Sequence, residues 1–237
     1  MSWLIKSSIG RKLVMSISGL ALILFLTFHM SMNLVALFSA EGYNMICAFL
    51  GANWYALVAT KGLALLFILH IVYALILTNQ NRKARGSDRY GVVGKPQGVE
   101  WASQNMMALG VVVLLGLGLH LFNFWAKMQL AELQHIHDLG IPGVNGPTDG
   151  AGLIRYTFAN PVYVLLYLVW LAALWFHLAH GFWSALHTIG WNNTIWMKRL
   201  QVISNIYSTL IVLGFAAVVI FFFLQSLCNG TASCPFA

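Results

Sequence analysis

The sequence predicts an all-α membrane protein made of one transmembrane domain, residues 1–237, with five spanning helices. Of its 237 residues, 59% are hydrophobic and only 8% are charged, against about 25% charged residues in an ordinary soluble domain. Uncharged apolar stretches long enough to cross the roughly 30 Å hydrocarbon core of a bilayer occur five times. A soluble fold has too little interior to bury that much apolar surface, so the membrane must act as the solvent.

The spans are expected roughly at residues 13–38, 54–80, 101–126, 161–188 and 200–226. Lys61 interrupts the second stretch, and its long side chain can reach the interface while its stem stays in apolar surroundings. Pro161 opens the fourth, because proline is favoured in the first turn of a helix. No cleavable signal peptide is expected, since the first apolar stretch is too long and lacks a small-residue cleavage site. Between Lys127 and Arg155 we expect a polar, turn-rich, partly ordered loop over one mouth of the helices.

The basic residues fix the expected orientation, because cytoplasmic loops carry an excess of Lys and Arg. Three of the 13 fall on one side of the membrane: Lys61, Lys127 and Arg155. The other ten fall on the opposite side: Lys6, Arg11, Lys12, Arg82, Lys83, Arg85, Arg89, Lys95, Lys198 and Arg199. The N-terminus is therefore predicted in the cytoplasm and the C-terminus outside. The same distribution argues against nucleic-acid binding as the reason for the net charge of +7.

Four histidines lie one each in the first four spans: His29, His70, His120 and His177. Ionisable residues inside a membrane span are costly and usually serve a function. At a rise of about 1.5 Å per residue, His29 and His120 lie roughly 27 Å from the cytoplasmic edge, and His70 and His177 roughly 15–18 Å. The four therefore form two layers about 10 Å apart before any tilt.

Two layers of two histidines indicate axial ligands for two haem groups. In an antiparallel four-helix bundle the first and third helices lie diagonally opposite, as do the second and fourth, and each layer holds one such pair. A lone membrane histidine more often donates a hydrogen bond between helices, but the segregation by helix and depth favours ligation. Two imidazoles leave no open position on iron, which favours electron transfer over oxygen chemistry. The fifth helix, without a histidine, is expected to pack outside the bundle.

Other residues are candidates for supporting roles. Gly116 and Gly181 lie one turn from ligands and leave room for a flat macrocycle, and Asn33, Ser16 and Ser18 offer polar contacts. His187 is a candidate contact for a haem propionate, although a surface histidine is the simpler interpretation. His180 is the one credible substitute ligand, and His135 and His137, an HxH pair in a loop, are expected to be solvated or interfacial, with metal binding as the alternative. No CxxCH motif exists, so covalent haem attachment is not expected; an oxidising exterior permits, without requiring, a disulfide between Cys228 and Cys234.

Local motifs resemble the cytochrome b membrane-anchor subunit of succinate:quinone oxidoreductases, in the single-subunit, five-helix, two-haem type. The related fumarate reductase anchors share the pattern. The matching motifs are Ser-Ser-Ile-Gly-Arg11-Lys12, Met15-Ser-Ile-Ser-Gly19-Leu, Phe28-His29 with Asn33-Leu34, Leu69-His70-Ile-Val-Tyr73, Phe176-His177-Leu-Ala-His-Gly181-Phe-Trp183-Ser-Ala and Gly190-Trp-Asn-Asn193. The similarity covers most of the chain and weakens in the Lys127–Arg155 loop and the C-terminal tail.

The resemblance implies a cytoplasmic-side haem b on His70 and His177 and an outer haem b on His29 and His120. It implies menaquinone or another quinone as the membrane substrate, and a place in the bacterial cytoplasmic membrane. It also implies two partners on the cytoplasmic face, an iron–sulfur subunit and a flavoprotein with covalent FAD and the dicarboxylate site. This chain houses neither cofactor, since it has three cysteines and no dinucleotide fingerprint. Assembly of the complex into a higher oligomer stays open.

Two positions bear on protons and quinone. Some relatives carry a glutamate two residues before the histidine of the fourth helix, where this chain has Trp175, so transmembrane proton movement by that route is not expected. Glu41 is the acidic candidate for quinol chemistry after the first helix, with a plain surface charge as the alternative. Further quinone-site candidates are Ser8, Arg11, Ser16 and His187 on the cytoplasmic face, with Asn44 outside.

Three alternatives stay open alongside this interpretation. The direction of reaction, succinate oxidation or fumarate reduction, is not readable from the sequence. The anchor of a hydrogenase, formate dehydrogenase or nitrate reductase is the second candidate, although those commonly place two ligand histidines on one helix. A di-iron oxygenase or a transporter with intramembrane histidines belongs to another class. A di-iron enzyme would need about eight clustered histidines, whereas the four here occupy two depths.

Overall fold

A computed structural model describes residues 7–85, 100–191 and 193–228, and within these ranges every regular element is a helix. Five helices are long and apolar enough to cross a membrane, which confirms the predicted all-α membrane class and the number of spans. They are α1 (Ser8–Leu34), α3 (Trp54–Arg85), α4 (Trp101–His120), α7 (Pro161–Thr188) and α8 (Thr194–Cys228). Shorter elements are α2 (Ala40–Phe49), α5 (Ala131–Leu133), α6 (Gly150–Phe158), a 3₁₀ turn (Val35–Leu37) and a π-helix (Leu121–Leu130).

Side-chain caps determine where several of these helices begin. Ser7 Oγ accepts from the Gly10 N–H at 2.9 Å, and Asn160 Oδ1 accepts from the Val162 N–H at 2.9 Å, directly before Pro161. Asn193 Oδ1 accepts from the Trp196 N–H at 2.8 Å at the start of α8. Each cap satisfies one of the backbone donors that a helix N-terminus leaves unpaired.

The predicted span limits agree with the helices at residues 54, 101, 161 and 188 and differ elsewhere; the first was predicted to end at 38, whereas α1 ends at Leu34. Helix α1 begins at Ser8 rather than at 13, and α8 begins at Thr194 rather than at 200. The predictions stopped at charged residues, whereas a helix can continue beyond the hydrocarbon core until a cap ends it. Lys127 is likewise helical, so the loop predicted from 127 to 155 is wrong at both ends.

Contacts between named residues show how the spans run past one another. Helix α1 packs against α3, α7 and α8, α4 packs against α7, and α8 packs against both α7 and α1. Ser18 near the start of α1 meets His70 in the second half of α3, and Glu100 at the start of α4 meets His180 near the end of α7. We call this end of the spans the basic side, because Arg11, Lys12, Arg82, Lys83, Lys198 and Arg199 lie there. Lys6, Arg89 and Lys95 fall outside the described residues, as does the side chain of Arg85.

The opposite end, called the far side, is closed by α2 and α6. Seven of the nine residues of α6 are buried, although the segment was predicted as part of a polar loop. The amide of Asn44 holds α2 to the start of α6, donating to Asp149 Oδ1 at 2.8 Å and accepting from the Ala151 N–H at 2.9 Å. Both the amide nitrogen and the amide oxygen of Asn44 are therefore hydrogen-bonded to α6 or its N-cap. Outward-facing leucines such as Leu24, Leu115 and Leu165 are exposed, as expected where lipid covers a helix.

Candidate functional site: two histidine pairs

The four span histidines come together as two pairs, each formed by two different helices. The ring centroids of His29 and His120 lie 5.7 Å apart, and those of His70 and His177 lie 6.4 Å apart. These are the pairs that the depth estimate put together. That either pair binds a haem iron stays a prediction.

Both separations suit a metal ion held between the two rings. An imidazole nitrogen binds a metal at about 2.0–2.1 Å and the ring centroid lies about 1 Å further, so two opposed axial rings have centroids roughly 6 Å apart. Within the described residues, no group of three or more His, Cys, Asp or Glu side chains is placed to hold a metal. A porphyrin would supply the four remaining ligands itself, so this donor set fits haem.

The pair His29–His120 lies inside an aromatic shell. Phe25 stacks on His29 at 5.4 Å, and the Phe215 ring lies 5.7 Å from the same histidine. Around His120 the rings are those of Phe124 at 5.2 Å, Trp170 at 5.7 Å and Tyr167 at 6.3 Å. None of these rings carries a charge, so the shell favours neutral imidazoles, which is the form that binds iron.

Gly116 makes room for the indole of Trp170. A Cβ on Gly116 would overlap the Trp170 indole at Cδ1, and the indole Nε1–H donates to the Val113 carbonyl at 3.0 Å. Trp170 is thereby fixed beside His120. The space beside Gly116 is thus occupied by the indole, and the role of Gly116 as a neighbour of a haem stays a prediction.

The pair His70–His177 has a defined tautomer at His70. Ser18 is 1% exposed, its hydroxyl donates to the Met15 carbonyl at 3.0 Å, and its Oγ lies 3.3 Å from His70 Nδ1. With the Ser18 proton directed at the Met15 carbonyl, this hydrogen bond favours the His70 tautomer that carries its proton on Nδ1. The lone pair then resides on Nε2, and this arrangement is typical of a histidine metal ligand and its supporting hydrogen bond.

The His177 ring contacts His70 but makes no described hydrogen bond through Nδ1. Its Nδ1 is buried and has no hydrogen-bond partner among the described residues. One turn further, a Cβ on Gly181 would meet no described atom within 4 Å. The predicted open space beside Gly181 is therefore present in the helix packing.

Two glycines show that the pairs form separate layers. A Cβ on Gly19 of α1 would lie 3.3 Å from His70 Cε1, and one on Gly110 of α4 would lie 3.8 Å from His177 Cε1. His29 and His120 each come ten residues later on those helices. Ten residues of helix correspond to about 15 Å, so two independent helices give the same layer separation. It exceeds the roughly 10 Å estimated from the sequence.

A π-helix follows His120 directly and was not foreseen. It runs from Leu121 to Leu130 and turns Asn123 and Gln129 into the protein, where they are 1% and 8% exposed. Gln129 donates to the Gly51 carbonyl at 3.1 Å and accepts from Trp125 Nε1 at 2.9 Å. π-Helical turns are rare and frequently lie at functional sites. No sequence pattern indicates it, because the polar residues of this stretch, Asn123, Lys127 and Gln129, are equally compatible with an α-helix.

The remaining predicted site residues lie apart from the ring pairs or serve other contacts. Ser16 is 6% exposed, on the basic-side part of α1, and Arg11 lies half-buried on the same helix. Glu41 is exposed in the first turn of α2, and His187 is exposed at the end of α7. His180, the substitute ligand, faces Glu100 instead, with Nδ1 3.2 Å from the carboxylate. Asn33 donates to the His29 carbonyl at 2.8 Å and accepts from Tyr43 Oη at 3.1 Å.

The two described cysteines, Cys47 and Cys228, lie on the far side. Cys47 is a free thiol beside Tyr43 and Gly150, and burial raises the pKa of Cys47 to about 11, so it is protonated at neutral pH. Burial likewise raises the pKa of Tyr43. Cys228 is disulfide-bonded, whereas Cys234, its predicted partner, lies outside the described residues.

Comparison with known proteins identifies no relative. The chain matches no protein-family model, no curated protein and no solved structure.

Proposed function

We propose that the chain is the di-haem cytochrome b anchor of a succinate:quinone oxidoreductase. The observation that carries the proposal is the joining of four histidines from four spans into two ring pairs, at 5.7 and 6.4 Å. In this account α1, α3, α4 and α7 form the bundle, His29 and His120 bind one haem b, and His70 and His177 bind the other. When bound, each haem supplies a one-electron carrier.

The protein's own groups prepare each position for that carrier. Ser18 holds the His70 ring through a hydrogen bond at Nδ1, which favours the tautomer whose Nε2 is free, and aromatic rings pack against His29 and His120. Trp170 and Phe25 restrict how the first pair can rotate. Ligands that are oriented before the cofactor binds lose less freedom on binding and hold a single geometry.

The two layers, about 15 Å apart along α1 and α4, would form an electron path from one membrane surface toward the other. We place the basic side in the cytoplasm by the positive-inside rule, with the iron–sulfur subunit and the FAD-containing flavoprotein docked there. The layer of His70 and His177 is then the entry point for their electrons. Menaquinone or another quinone exchanges electrons with the haems in the membrane.

The enzymatic chemistry on the dicarboxylate belongs to the flavoprotein, and this chain supplies the electron-transfer and quinone-reactive part. For the quinone site, Arg11 and Ser16 stay candidates on the basic side and Glu41 on the far side. Asn44 is a weaker candidate than these three, because both ends of its amide hold α2 to α6.

The test is to purify the chain with its native partners and follow its haems in the visible spectrum. Succinate is expected to reduce them in the complex, or fumarate to oxidise them after reduction by a quinol, and the faster reaction gives the physiological direction. Haems that respond to hydrogen or formate but to neither dicarboxylate would contradict the assignment. They would favour the anchor of a hydrogenase or formate dehydrogenase instead.

A further inference from the structure

A buried polar group next to His120 has fewer hydrogen bonds than its atoms can make. Asn123 is 1% exposed and Thr157 is 2% exposed. Asn123 Nδ2 donates to Tyr167 Oη at 3.3 Å, but within the described residues neither Asn123 Oδ1 nor Thr157 Oγ1 has a partner. Buried polar atoms without a partner are rare in native proteins, because each loses its bonds to water without replacement.

These three side chains come from elements that meet on the far side, because α6 contacts both the π-helix and α7. The π-helix turns Asn123 inward three residues after His120, and Tyr167 comes from α7. Thr157 comes from the buried helix α6. The ring of the following residue, Phe158, packs on Phe124 at 6.1 Å and on Tyr167 at 5.1 Å. The amide of Asn123 and the hydroxyl of Tyr167 are thus in direct contact, and Thr157 lies on a helix that packs against both of their elements.

We propose that Asn123, Tyr167 and Thr157 bind internal water and form a hydrated polar site beside His120. A water molecule donates two hydrogen bonds and accepts two, so it can donate to Asn123 Oδ1 and accept from the two hydroxyls. Buried waters typically make about three such bonds to otherwise unsatisfied groups. Asn123 and Tyr167 provide two such bonds, and we infer that Thr157, on the adjacent helix, provides the third.

The surroundings favour a neutral ligand over an anion. The ammonium of Lys127 lies over the rings of Phe122 and Tyr156, at 5.6 and 5.8 Å from their centroids. Arg155 interacts with the carboxylate of Asp149. The two cations nearest in sequence to the site are thus engaged elsewhere, and a buried carboxylate there would lack their charge. The exposed fractions of 1% and 2% also exclude a lipid headgroup.

The water has a consequence for electron transfer, which rests on the proposed function. With a haem on His29 and His120, oxidised iron carries one more positive charge than reduced iron. A hydrated polar neighbour stabilises that charge and lowers the reduction potential of this haem, whereas an apolar neighbour raises it. The haem on His70 and His177, about 15 Å away, should be affected far less.

The first experiment is a high-resolution cryo-electron microscopy map of the intact protein and of Asn123→Leu. A separate density within hydrogen-bond distance of Asn123 Oδ1, absent from the variant, is expected. A rotated amide bonded at both ends to protein atoms, with no such density, would overturn the water site. So would density continuous with a haem propionate. This map decides the point whether or not the chain binds haem, so its failure is distinct from failure of the proposed function.

The second experiment is a redox titration of Thr157→Val, which keeps the side-chain volume and removes the hydroxyl. The potential of the haem on His29 and His120 is expected to rise while the other stays unchanged. Ser31→Ala is the matched control, because that hydroxyl bonds within its own helix to the Thr27 carbonyl. Equal shifts of both haems, or no shift, would overturn the link between the water and the haem.

Discussion

Ser18 and His70 are joined by a hydrogen bond whose direction is fixed by a third group. The Ser18 hydroxyl donates its proton to the Met15 carbonyl, so its oxygen, 3.3 Å from His70 Nδ1, can only accept. The bond therefore orients the His70 ring and favours the tautomer whose lone pair is on Nε2. A serine on one span thus prepares a ligand on another.

Replacing Ser18 by alanine is expected to weaken haem binding at His70 and His177 by about 10–100-fold, the usual effect of losing a hydrogen bond behind a metal ligand. The remaining haem there should have a raised potential, because a histidine that no longer donates from Nδ1 is a poorer electron donor to iron. Haem stoichiometry and a redox titration measure both effects. Ser31→Ala serves as the control, and equal losses in the two variants would contradict this role for Ser18.

The pairing itself is tested by four single substitutions. His70→Ala and His177→Ala should each remove the haem of the same layer, and His29→Ala and His120→Ala should each remove the other one. Electron paramagnetic resonance of the oxidised proteins distinguishes the two bis-histidine signals. His187→Ala, at an exposed position, should retain both. Loss of the same signal from His29→Ala and His70→Ala would contradict the pairs.

Two glycines on one helix offer a matched test of packing near His120. In Gly116→Ala the new Cβ would overlap Trp170 Cδ1, whereas Gly118 has no described atom within 4 Å of such a Cβ. Overpacking typically costs about 1–3 kcal/mol, so Gly116→Ala should lower the thermal stability and disturb the haem on His120. Gly118→Ala should be neutral or slightly stabilising, since alanine favours helix. Equal melting temperatures for the two variants would show that Trp170 adjusts freely.

The far side should lose stability in acid through Asp149. Burial alone raises the pKa of Asp149, but hydrogen bonds from the Asn145 and Gly152 N–H groups and from Asn44 outweigh it and hold the pKa below its ordinary value. A carboxylate with a lowered pKa contributes stability above its unfolded pKa of about 3.9, and this is lost as the pH falls through the folded value. Proteolysis near α6 should therefore accelerate below about pH 4. Asp149→Asn should be cleaved faster at neutral pH and lose this acid dependence.

The spans and the histidine pairs could be predicted from the sequence, because both depend only on position along the helix axis. Length and hydropathy locate a span, and a rise of about 1.5 Å per residue locates a histidine in depth. Contacts between neighbouring helices could not be predicted from the sequence in the same way. That Trp170 fills the space at Gly116, that Ser18 rather than Ser16 meets His70, and that α6 folds back into the far side all depend on which faces meet.

The spacing of glycines relative to the histidines carries a sequence signal for the second layer, whereas the π-helix carries none. Gly19 comes ten residues before His29 and faces His70, and Gly110 comes ten residues before His120 and faces His177. A small residue ten positions before a predicted ligand therefore marks the depth of the His70–His177 pair. The π-helix after His120 depends on burying Asn123 and Gln129 against Tyr167 and Gly51. A prediction from sequence periodicity uses the α-helical repeat of about 3.6 residues and therefore does not detect a switch to a π-helix.

The central claim is that each histidine pair holds one haem, and a haem determination on the purified chain tests it most directly. The account predicts two b-type haems per chain by pyridine haemochrome. It also predicts a reduced-minus-oxidised spectrum with the α band of six-coordinate bis-histidine iron, unchanged by carbon monoxide. A chain that is folded and homogeneous but carries no haem, or only one, would contradict it.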